Sequence, residues 1–342
     1  MKNYKWGIIG AGPAGIAAVG KLLDFGVSDK DIIWIDPEFQ AGDLAGLWGN
    51  VPSNTKVKLF TKFLNSCDSF NFKDSNKTFP LQEKNPEDSC YLKYMAEPLY
   101  WVTSNLRKRV SSINDTAVSL DHQNNEWHVT LKNGEFKAQK IILAQGATPK
   151  GYSVNNKVQI SLQDAIDFKL IQGKVNQDDT VAVFGSSHSA VLILRNLVNQ
   201  KVKKIINFYR SPLLYAIYYD DWILYDDSGL KGEAAVWAKQ YLEKDIPANL
   251  LRVCSNEENI NKYMQECNKV VAAVGFKRRD LPKISGLDNN YAVDKIGKIA
   301  ENLYGIGVAH PEAKYNTLGM LEYRVGLWKF MDYLNRVMPD WL

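Results

Sequence analysis

The sequence predicts an α/β fold of two nested domains, each with three layers in which a parallel sheet lies between helices. Three observations lead to this prediction. The chain has 342 residues, enough for two domains of ordinary length. An apolar strand that runs into a glycine-containing turn and then a helix occurs twice, at Trp6–Ala18 and at Val181–Leu192. A second kind of strand that ends in a glycine also occurs twice, at Lys140–Gly146 and at Lys269–Gly275.

The first unit of this pattern opens the chain. The apolar strand Tyr4–Ile9 enters the turn Gly10–Gly15, a helical pattern follows, and a second apolar strand ends at Asp36, 21 residues after Gly15. A GxGxxG turn between strand and helix, with an acid about 20 residues further on, is typical of Rossmann-like dinucleotide-binding domains. We expect Gly12 to let the backbone approach a pyrophosphate and Asp36 to accept hydrogen bonds from ribose hydroxyls.

The second unit repeats the order of elements with an offset of 175 residues, counted from Gly10 to Gly185. Ser187 replaces the middle glycine and His188 follows it. A serine still lets a pyrophosphate approach, and the helix dipole favours the neutral form of His188. The second strand ends at Arg210 rather than at an acid. Because an arginine there accommodates a 2′-phosphate, the sequence predicts FAD in the first unit and NADPH in the second.

Two similar segments mark where the chain leaves the first domain and returns to it. Glu126–Gly146 alternates around a hairpin turn and ends in a buried strand and a glycine, which indicates an antiparallel meander. Lys269–Pro282 repeats that strand and glycine. The sequence therefore predicts an FAD-binding domain of residues 1–150 plus 270–342, and an inserted NAD(P)-binding domain of residues 151–269.

These motifs resemble the flavoproteins with two dinucleotide-binding domains, which include flavin-containing monooxygenases, thioredoxin reductases and N-hydroxylating relatives. The resemblance covers nearly the whole chain. It implies that the segment Glu301–Leu334 lies on the flavin, with Gly307 and His310 beside it. It also implies a helix at about Leu318–Leu334 whose N-terminus points at the flavin. The acid that these proteins carry at this point is replaced by Val308.

The cysteines and one aromatic segment bear on the branch of this superfamily. The four cysteines lie far apart and form no CxxC pair, so the thiol–disulfide exchange of the reductases is not expected. The segment Gly42–Phe60 is similar to the GGxW segment of flavin-containing monooxygenases, and we expect its Trp48 to pack against the flavin or in the core. The histidine that those monooxygenases carry before the second glycine turn is absent from Val158–Asp164.

Composition argues against several other functions. The net charge of +4 is spread over both signs without a basic block, so no nucleic acid is expected as a partner. No apolar run reaches the roughly 18 residues of a membrane span. No signal peptide and no metal site are predicted, and free thiols fit a cytoplasmic protein. The aromatic segment Tyr215–Lys244 fits either a substrate pocket or the subunit interface of a homodimer.

The function that the sequence predicts is an FAD-dependent, NADPH-using oxidoreductase, similar to a monooxygenase, that acts on a small substrate. Two alternatives stay open: an NAD(P)H-dependent reductase or diaphorase with a ferredoxin- or quinone-type acceptor, and a flavin-bound regulatory protein with a vestigial second site. No catalytic residue can be chosen, because the cofactor carries the chemistry. The predicted cofactor-binding residues are Gly10, Gly12, Pro13, Ala14, Gly15, Asp36, Pro37, Leu47, Trp48, Gly146, Gly185, Ser186, Ser187, His188, Ser189, Arg210, Gly307 and His310.

Overall fold

The structure is a computed structural model that describes residues 2–220 and 222–342. The strands in these ranges are β1 Asn3–Ile9, β2 Ile32–Asp36, β3 Pro52–Lys56, β4 Ser89–Tyr91, β5 Ser111–Asn114, β6 Ala117–Gln123, β7 Glu126–Leu131, β8 Gly134–Leu143, β9 Ala147–Pro149, β10 Val158–Ile160, β11 Thr180–Phe184, β12 Lys204–Tyr209, β13 Ile217–Tyr218, β14 Ile223–Leu224, β15 Leu250–Cys254, β16 Lys269–Ala272, β17 Phe276–Arg278, β18 Lys283–Ile284, β19 Lys298–Ala300, β20 Leu303–Gly305, β21 Glu312–Tyr315 and β22 Leu321–Arg324. The α-helices are α1 Pro13–Asp24, α2 Asp43–Gly46, α3 Val57–Asn65, α4 Lys93–Arg109, α5 Leu162–Ile166, α6 Phe168–Ile171, α7 His188–Asn199, α8 Gly232–Tyr241, α9 Glu257–Tyr263 and α10 Leu327–Trp341.

The first sheet has nine strands and is centred on β1. This strand pairs in parallel with β2 on one side and β8 on the other, so Ile9 lies beside Ile35 and Leu143. β5 and β20 extend the parallel part, and β6 and β7 lead into β8 as an antiparallel meander. The central strands are almost wholly apolar because helices cover both faces of a parallel sheet. The predicted meander is confirmed.

The second sheet has five strands in the order β10–β16–β11–β12–β15, and every pair is parallel. Helix α7 connects β11 to β12, which completes a second βαβ unit built like the first. Each sheet has its own buried core, in which residues such as Trp34 and Val183 are inaccessible to solvent. The prediction of an α/β fold with two Rossmann-like units is confirmed.

The chain crosses between the two sheets at β9 and β17, which pair with each other in antiparallel fashion. The partners of β16 are the second-sheet strands β10 and β11, so the predicted domain boundary at residue 270 falls inside a strand of the inserted unit. We therefore propose that the first domain resumes after Ala272.

The C-terminal helix begins later than predicted. The sequence predicts it at about Leu318–Leu334, whereas α10 starts at Leu327 and a hairpin of β21 and β22 precedes it. The Asn316 side chain closes this hairpin by accepting hydrogen bonds from the backbone amides of Leu318 and Met320, both at 3.0 Å. A local turn of this kind competes with a helix, and the apolar pattern alone did not reveal it.

The described residues show neither a membrane-spanning helix nor a cluster of three or more side chains suited to a metal ion. All four cysteine thiols are free, and three of them are buried. Burial raises the pKa of Cys67 and Cys90, and raises that of Cys267 to about 11. These thiols are therefore protonated at neutral pH, which makes them poor nucleophiles.

Candidate functional site

The two glycine turns have the same backbone geometry at their first residue. Gly10 has a φ of 108° and Gly185 a φ of 128°, a region that favours glycine. A Cβ built on Gly10 would lie 2.3 Å from the carbonyl oxygen of Ala144, and one on Gly185 would lie 2.4 Å from that of Ala273. Both turns therefore require glycine because a neighbouring strand end passes directly over them.

The helices that follow the turns present free N-termini. Gly12 caps α1 with φ −74° and ψ 179°, and Ser187 caps α7 with φ −90° and ψ −173°. Neither cap has a side-chain hydrogen bond to the first amides of its helix, and Pro13 supplies the first residue of α1. Unsatisfied amides and the positive end of the dipole make such a terminus a binding site for phosphate groups.

Gly12 faces open space. A Cβ at this position would meet no atom within 4 Å, whereas a Cβ at Gly15 would lie 1.9 Å from the carbonyl oxygen of Gly10. Packing of the helix on its strand therefore explains Gly15, but nothing in the folded chain requires Gly12 to lack a side chain. The open cradle fits a dinucleotide whose pyrophosphate approaches the backbone, as FAD would.

Asp36 lies at the end of β2, as predicted, but its carboxylate already has backbone partners. It accepts hydrogen bonds from the amides of Ala11 at 2.7 Å, Glu38 at 2.9 Å and Phe39 at 2.7 Å. The bond to Ala11 ties the strand end to the glycine turn. A carboxylate has about four lone-pair sites, so it retains capacity for a ribose hydroxyl. The sequence did not reveal this role in holding the turn.

The segment after β2 passes over the same turn. A Cβ on Gly42 would lie 2.9 Å from the Cα of Gly12, and Gly42 has a φ of 62°. Pro37 is exposed at the start of this segment, Leu47 is 37% exposed, and Trp48 is half-buried. The ring of Trp48 packs edge-on against Phe276 of the crossing strand, with centroids 6.1 Å apart. Trp48 therefore lies between the two units.

An ion pair that the sequence analysis missed joins this segment to the crossing point. Arg279 donates to both carboxylate oxygens of Asp43 at 2.8 Å. Its Nε lies 3.8 Å from the position of a Cβ on Gly146, which has a φ of 75°. The residues are 236 positions apart in sequence, so no local pattern could have paired them.

The C-terminal turn meets the first glycine turn directly. A Cβ on Gly307 would lie 2.7 Å from the Cβ of Ala14, so the segment expected to lie on the flavin contacts the start of α1. His310 is 3% exposed, and its Nε2 lies 3.2 Å from Oε1 of Gln145. Burial, helped by the nearby charge of Arg278, lowers the pKa of His310 to about 3. The imidazole is therefore neutral at physiological pH, and its Nε2–H donates a hydrogen bond to Oε1 of Gln145.

His188 anchors the second turn to the first unit. Its Nε2 donates to the carbonyl oxygen of Pro52 in β3 at 3.3 Å, and burial lowers its pKa. The expectation of a neutral His188 agrees with this surrounding, although burial is the larger cause. Ser187 is exposed at the turn, and Ser186 and Ser189 flank it half-buried. These side chains leave the mouth of the turn open.

Arg210 is exposed at the edge of the second unit, one residue beyond the position that matches Asp36. The amide of Gly185 donates to Phe208 as that of Gly10 donates to Ile35, so Tyr209 is the structural counterpart of the acid. The prediction that Arg210 stands at the position of Asp36 is therefore wrong by one residue. The connection from the glycine turn to the end of the second strand is two residues shorter in the second unit than in the first. Arg210 makes no ion pair within residues 2–220 and 222–342, and the guanidinium of Arg252 lies 4.8 Å from the Tyr209 ring centre.

Two acidic residues of the aromatic segment Tyr215–Lys244 are paired with lysines rather than with Arg210. Asp226 pairs with Lys231 and Lys329, and Asp227 pairs with Lys329 at 2.5 Å. Asp221 lies outside the described residues. Two guanidinium groups, those of Arg210 and Arg252, therefore lie at the strand edge where the second unit would receive the ribose of a coenzyme.

Known proteins with similar sequences agree with this geometry. Residues 8–216 match the family model described as pyridine nucleotide-disulphide oxidoreductase. The chain is 33% identical to a protein of Paecilomyces divaricatus named Monooxygenase AgnR1, and the alignment covers 98% of this chain and 97% of that protein. The similarity therefore includes both glycine turns and the C-terminal segment.

Two solved structures share the fold over almost their whole length. L-lysine 6-monooxygenase from Pseudomonas syringae has a TM-score of 0.67 at 14% identity, with 99% of each chain covered. A flavin-containing monooxygenase from Stenotrophomonas maltophilia has a TM-score of 0.65 at 15% identity, with 100% of this chain and 98% of that one covered. At 14% and 15% identity, these structural similarities show that the fold is shared.

Proposed function

Because the chain belongs to the pyridine nucleotide-disulphide oxidoreductase family, we propose that this oxidoreductase is an FAD-dependent, NADPH-using monooxygenase that acts on a small substrate. The observation that carries the proposal is the open cradle at Gly12 in front of the uncapped α1, repeated in form at Ser187 and α7. The relative named as a monooxygenase, matched over 98% of the chain, supports the choice of reaction. The free, mostly buried thiols argue against disulfide exchange.

The residues assigned to FAD are those that surround the first turn. The amides after Gly12 would bind the pyrophosphate, Asp36 would hold the turn and contact ribose, and Gly307 would let the C-terminal segment approach the flavin. Bound FAD would supply the hydride acceptor and the electrons for oxygen activation. The protein would position this cofactor against its substrate.

The residues assigned to NADPH are those of the second turn. Amides at Ser187 and Ser189 would bind the pyrophosphate, and Arg210 would hold the 2′-phosphate by charge-assisted hydrogen bonds. His188 fixes the turn against Pro52 and is not a candidate for proton transfer, because its Nε2–H is engaged in a hydrogen bond to the Pro52 carbonyl oxygen. The reaction would consume NADPH, a proton, oxygen and substrate, and release NADP⁺, water and a hydroxylated product.

The function is tested by the fate of oxygen. The purified protein, supplied with FAD and NADPH, is expected to place one atom from isotopically labelled oxygen in a product and to release little hydrogen peroxide when that substrate is present. Unlabelled products, with all electrons recovered as peroxide or in an added quinone, would instead identify a reductase. Absence of NADPH oxidation would identify a protein whose second site is vestigial.

A further inference from the structure

A cavity of about 980 Å³, open to solvent on one side, lies between the two units. One wall consists of β3, β4 and the residues just before β4, and the other consists of α8 with part of α7. Small-molecule sites in proteins have volumes of roughly 300–1,000 Å³ and often lie between domains. None of the residues predicted to bind cofactor lines this cavity.

The charges on the cavity walls balance. Lys56 donates to Glu87 at 3.0 Å, and Arg195 donates to Glu233 at 2.8 Å, one pair on each wall. Paired charges produce little net field, so the cavity does not select an anion or a cation. The charged residues that line it are three cations and three carboxylates: Lys56, Arg195, Lys239, Glu87, Asp88 and Glu233.

Aromatic and aliphatic side chains supply the remaining contact surface. Tyr218, Trp237 and Tyr241 line the cavity, and Val236 lines it with 71% of its surface exposed. The rings of Trp237 and Tyr241 lie 5.4 Å apart at 35° to each other. Clustered aromatic faces bind planar π-systems by stacking or edge-to-face contact. A neutral aromatic compound therefore complements this surface better than a charged or purely aliphatic one.

The cavity also adjoins the element that would hold the coenzyme. The carbonyl oxygen of Pro52 accepts the hydrogen bond from His188, and Asn54, two residues further on, lines the cavity. On the opposite wall a Cβ at Gly232 would lie 3.0 Å from Oγ of Ser89, so the units are in contact at the base. Helix α7 runs from the second turn to Arg195 at the cavity wall.

We propose that this cavity is the substrate site and that it accepts neutral, planar aromatic compounds. The proposal rests on the proposed function and narrows its substrate class. The aromatic segment Tyr215–Lys244 fitted either a pocket or a subunit interface by sequence. In the structure its Tyr218 and Trp237 line the cavity.

The test measures binding to the FAD-loaded enzyme without NADPH. Equilibrium dialysis with naphthol, and with its saturated counterpart decalol as control, is expected to show about tenfold tighter binding of the aromatic compound. Val236→Arg should weaken naphthol binding about tenfold or more, because the new guanidinium places an unpaired charge beside the aromatic side chains of the cavity. The matched control is Val158→Arg, an identical change at a 60% exposed position outside the cavity, which should leave binding unchanged.

Two results would overturn the proposal. Equal affinity for naphthol and decalol would remove the aromatic preference, and unchanged naphthol binding by Val236→Arg would place the site elsewhere. A change from dimer to monomer in Val236→Arg without loss of naphthol binding would show that a second copy covers this surface. Reduction of the flavin by NADPH is measured in the same variants, so a failure of the proposed function is seen separately from a failure of the cavity assignment.

Discussion

Gly12 differs from Gly10 and Gly15 because no contact within the folded chain requires a glycine at this position. A Cβ at Gly12 meets nothing within 4 Å, and its φ of −74° suits any residue. We expect Gly12→Val to abolish FAD retention while changing the free energy of unfolding by only about 1 kcal/mol, the size of a cap effect. Absorbance of the purified protein and urea unfolding measure the two quantities.

Two variants serve as controls for this prediction. Gly151→Val also introduces a side chain where no atom lies within 4 Å, but outside the first glycine turn, and it should retain FAD. Gly15→Ala should lose about 1–3 kcal/mol of stability, because its Cβ collides with a carbonyl oxygen. Full retention of FAD by Gly12→Val would mean that the dinucleotide binds elsewhere.

Asp36 is expected to affect both stability and flavin binding. The sequence alone predicts a ribose contact with the fold intact, but the structure adds three backbone amides that depend on its carboxylate. Asp36→Ala should lower the free energy of unfolding by roughly 1.5–3 kcal/mol and weaken FAD binding. Asp36→Asn keeps one acceptor oxygen, so it should lose less unfolding free energy and less FAD affinity than Asp36→Ala. An Asp36→Ala protein with wild-type urea unfolding would contradict the structural role.

His310 should make the stability of the protein depend on pH. Burial lowers its pKa to about 3 in the folded chain, whereas an unfolded histidine titrates near 6.5. Below pH 6.5 the imidazole is therefore protonated in the unfolded chain but stays neutral in the folded chain. The free energy of unfolding falls as the pH falls. The loss attributable to His310 is about 1.4 kcal/mol per pH unit between pH 6.5 and 5.

His310→Gln isolates this contribution, since glutamine preserves the position of the donor to Gln145. The difference in unfolding free energy between wild type and variant should narrow or reverse in favour of the variant as the pH is lowered over that range. Parallel pH profiles would show that the imidazole is accessible to protons in the folded state.

At the scale of elements, the two βαβ units were predictable because their signals are local. Glycines at fixed spacing between an apolar strand and a helix identify the turns, and burial on both faces makes the strands apolar. The equivalence of Asp36 with Tyr209 was not predictable, because it depends on strand register and on a loop that is two residues shorter. The start of α10 was missed for a similar reason, since a side-chain-closed turn interrupts the pattern.

Arg210 at the end of the second unit should set coenzyme choice. Its side chain is exposed and makes no ion pair in the described ranges, so it is available to a 2′-phosphate. Arg210→Ala should lower kcat/KM for NADPH by about 10- to 150-fold, equal to roughly 1.5–3 kcal/mol, and leave NADH nearly unchanged. Arg252→Ala provides a comparison at the same edge. Equal losses with both coenzymes after Arg210→Ala would refute the phosphate assignment.

Across the whole molecule, three long-range contacts involve the two glycine turns and the segment that passes over the first of them. Gly307 reaches Ala14, Arg279 reaches Asp43, and His188 reaches Pro52. Each contact joins segments far apart in the chain, which is why the sequence could name several of these residues but not their partners. Together they place both helix N-termini beside the contact between the units.

The most direct test of the account is anaerobic mixing of the FAD-loaded protein with NADPH while the flavin absorbance is followed. We predict that the oxidised flavin band disappears in a single turnover, faster with NADPH than with NADH, and that Gly12→Val shows no such band after purification. A protein that takes up no FAD, or a bound flavin that stays oxidised with both coenzymes, would contradict the proposed function.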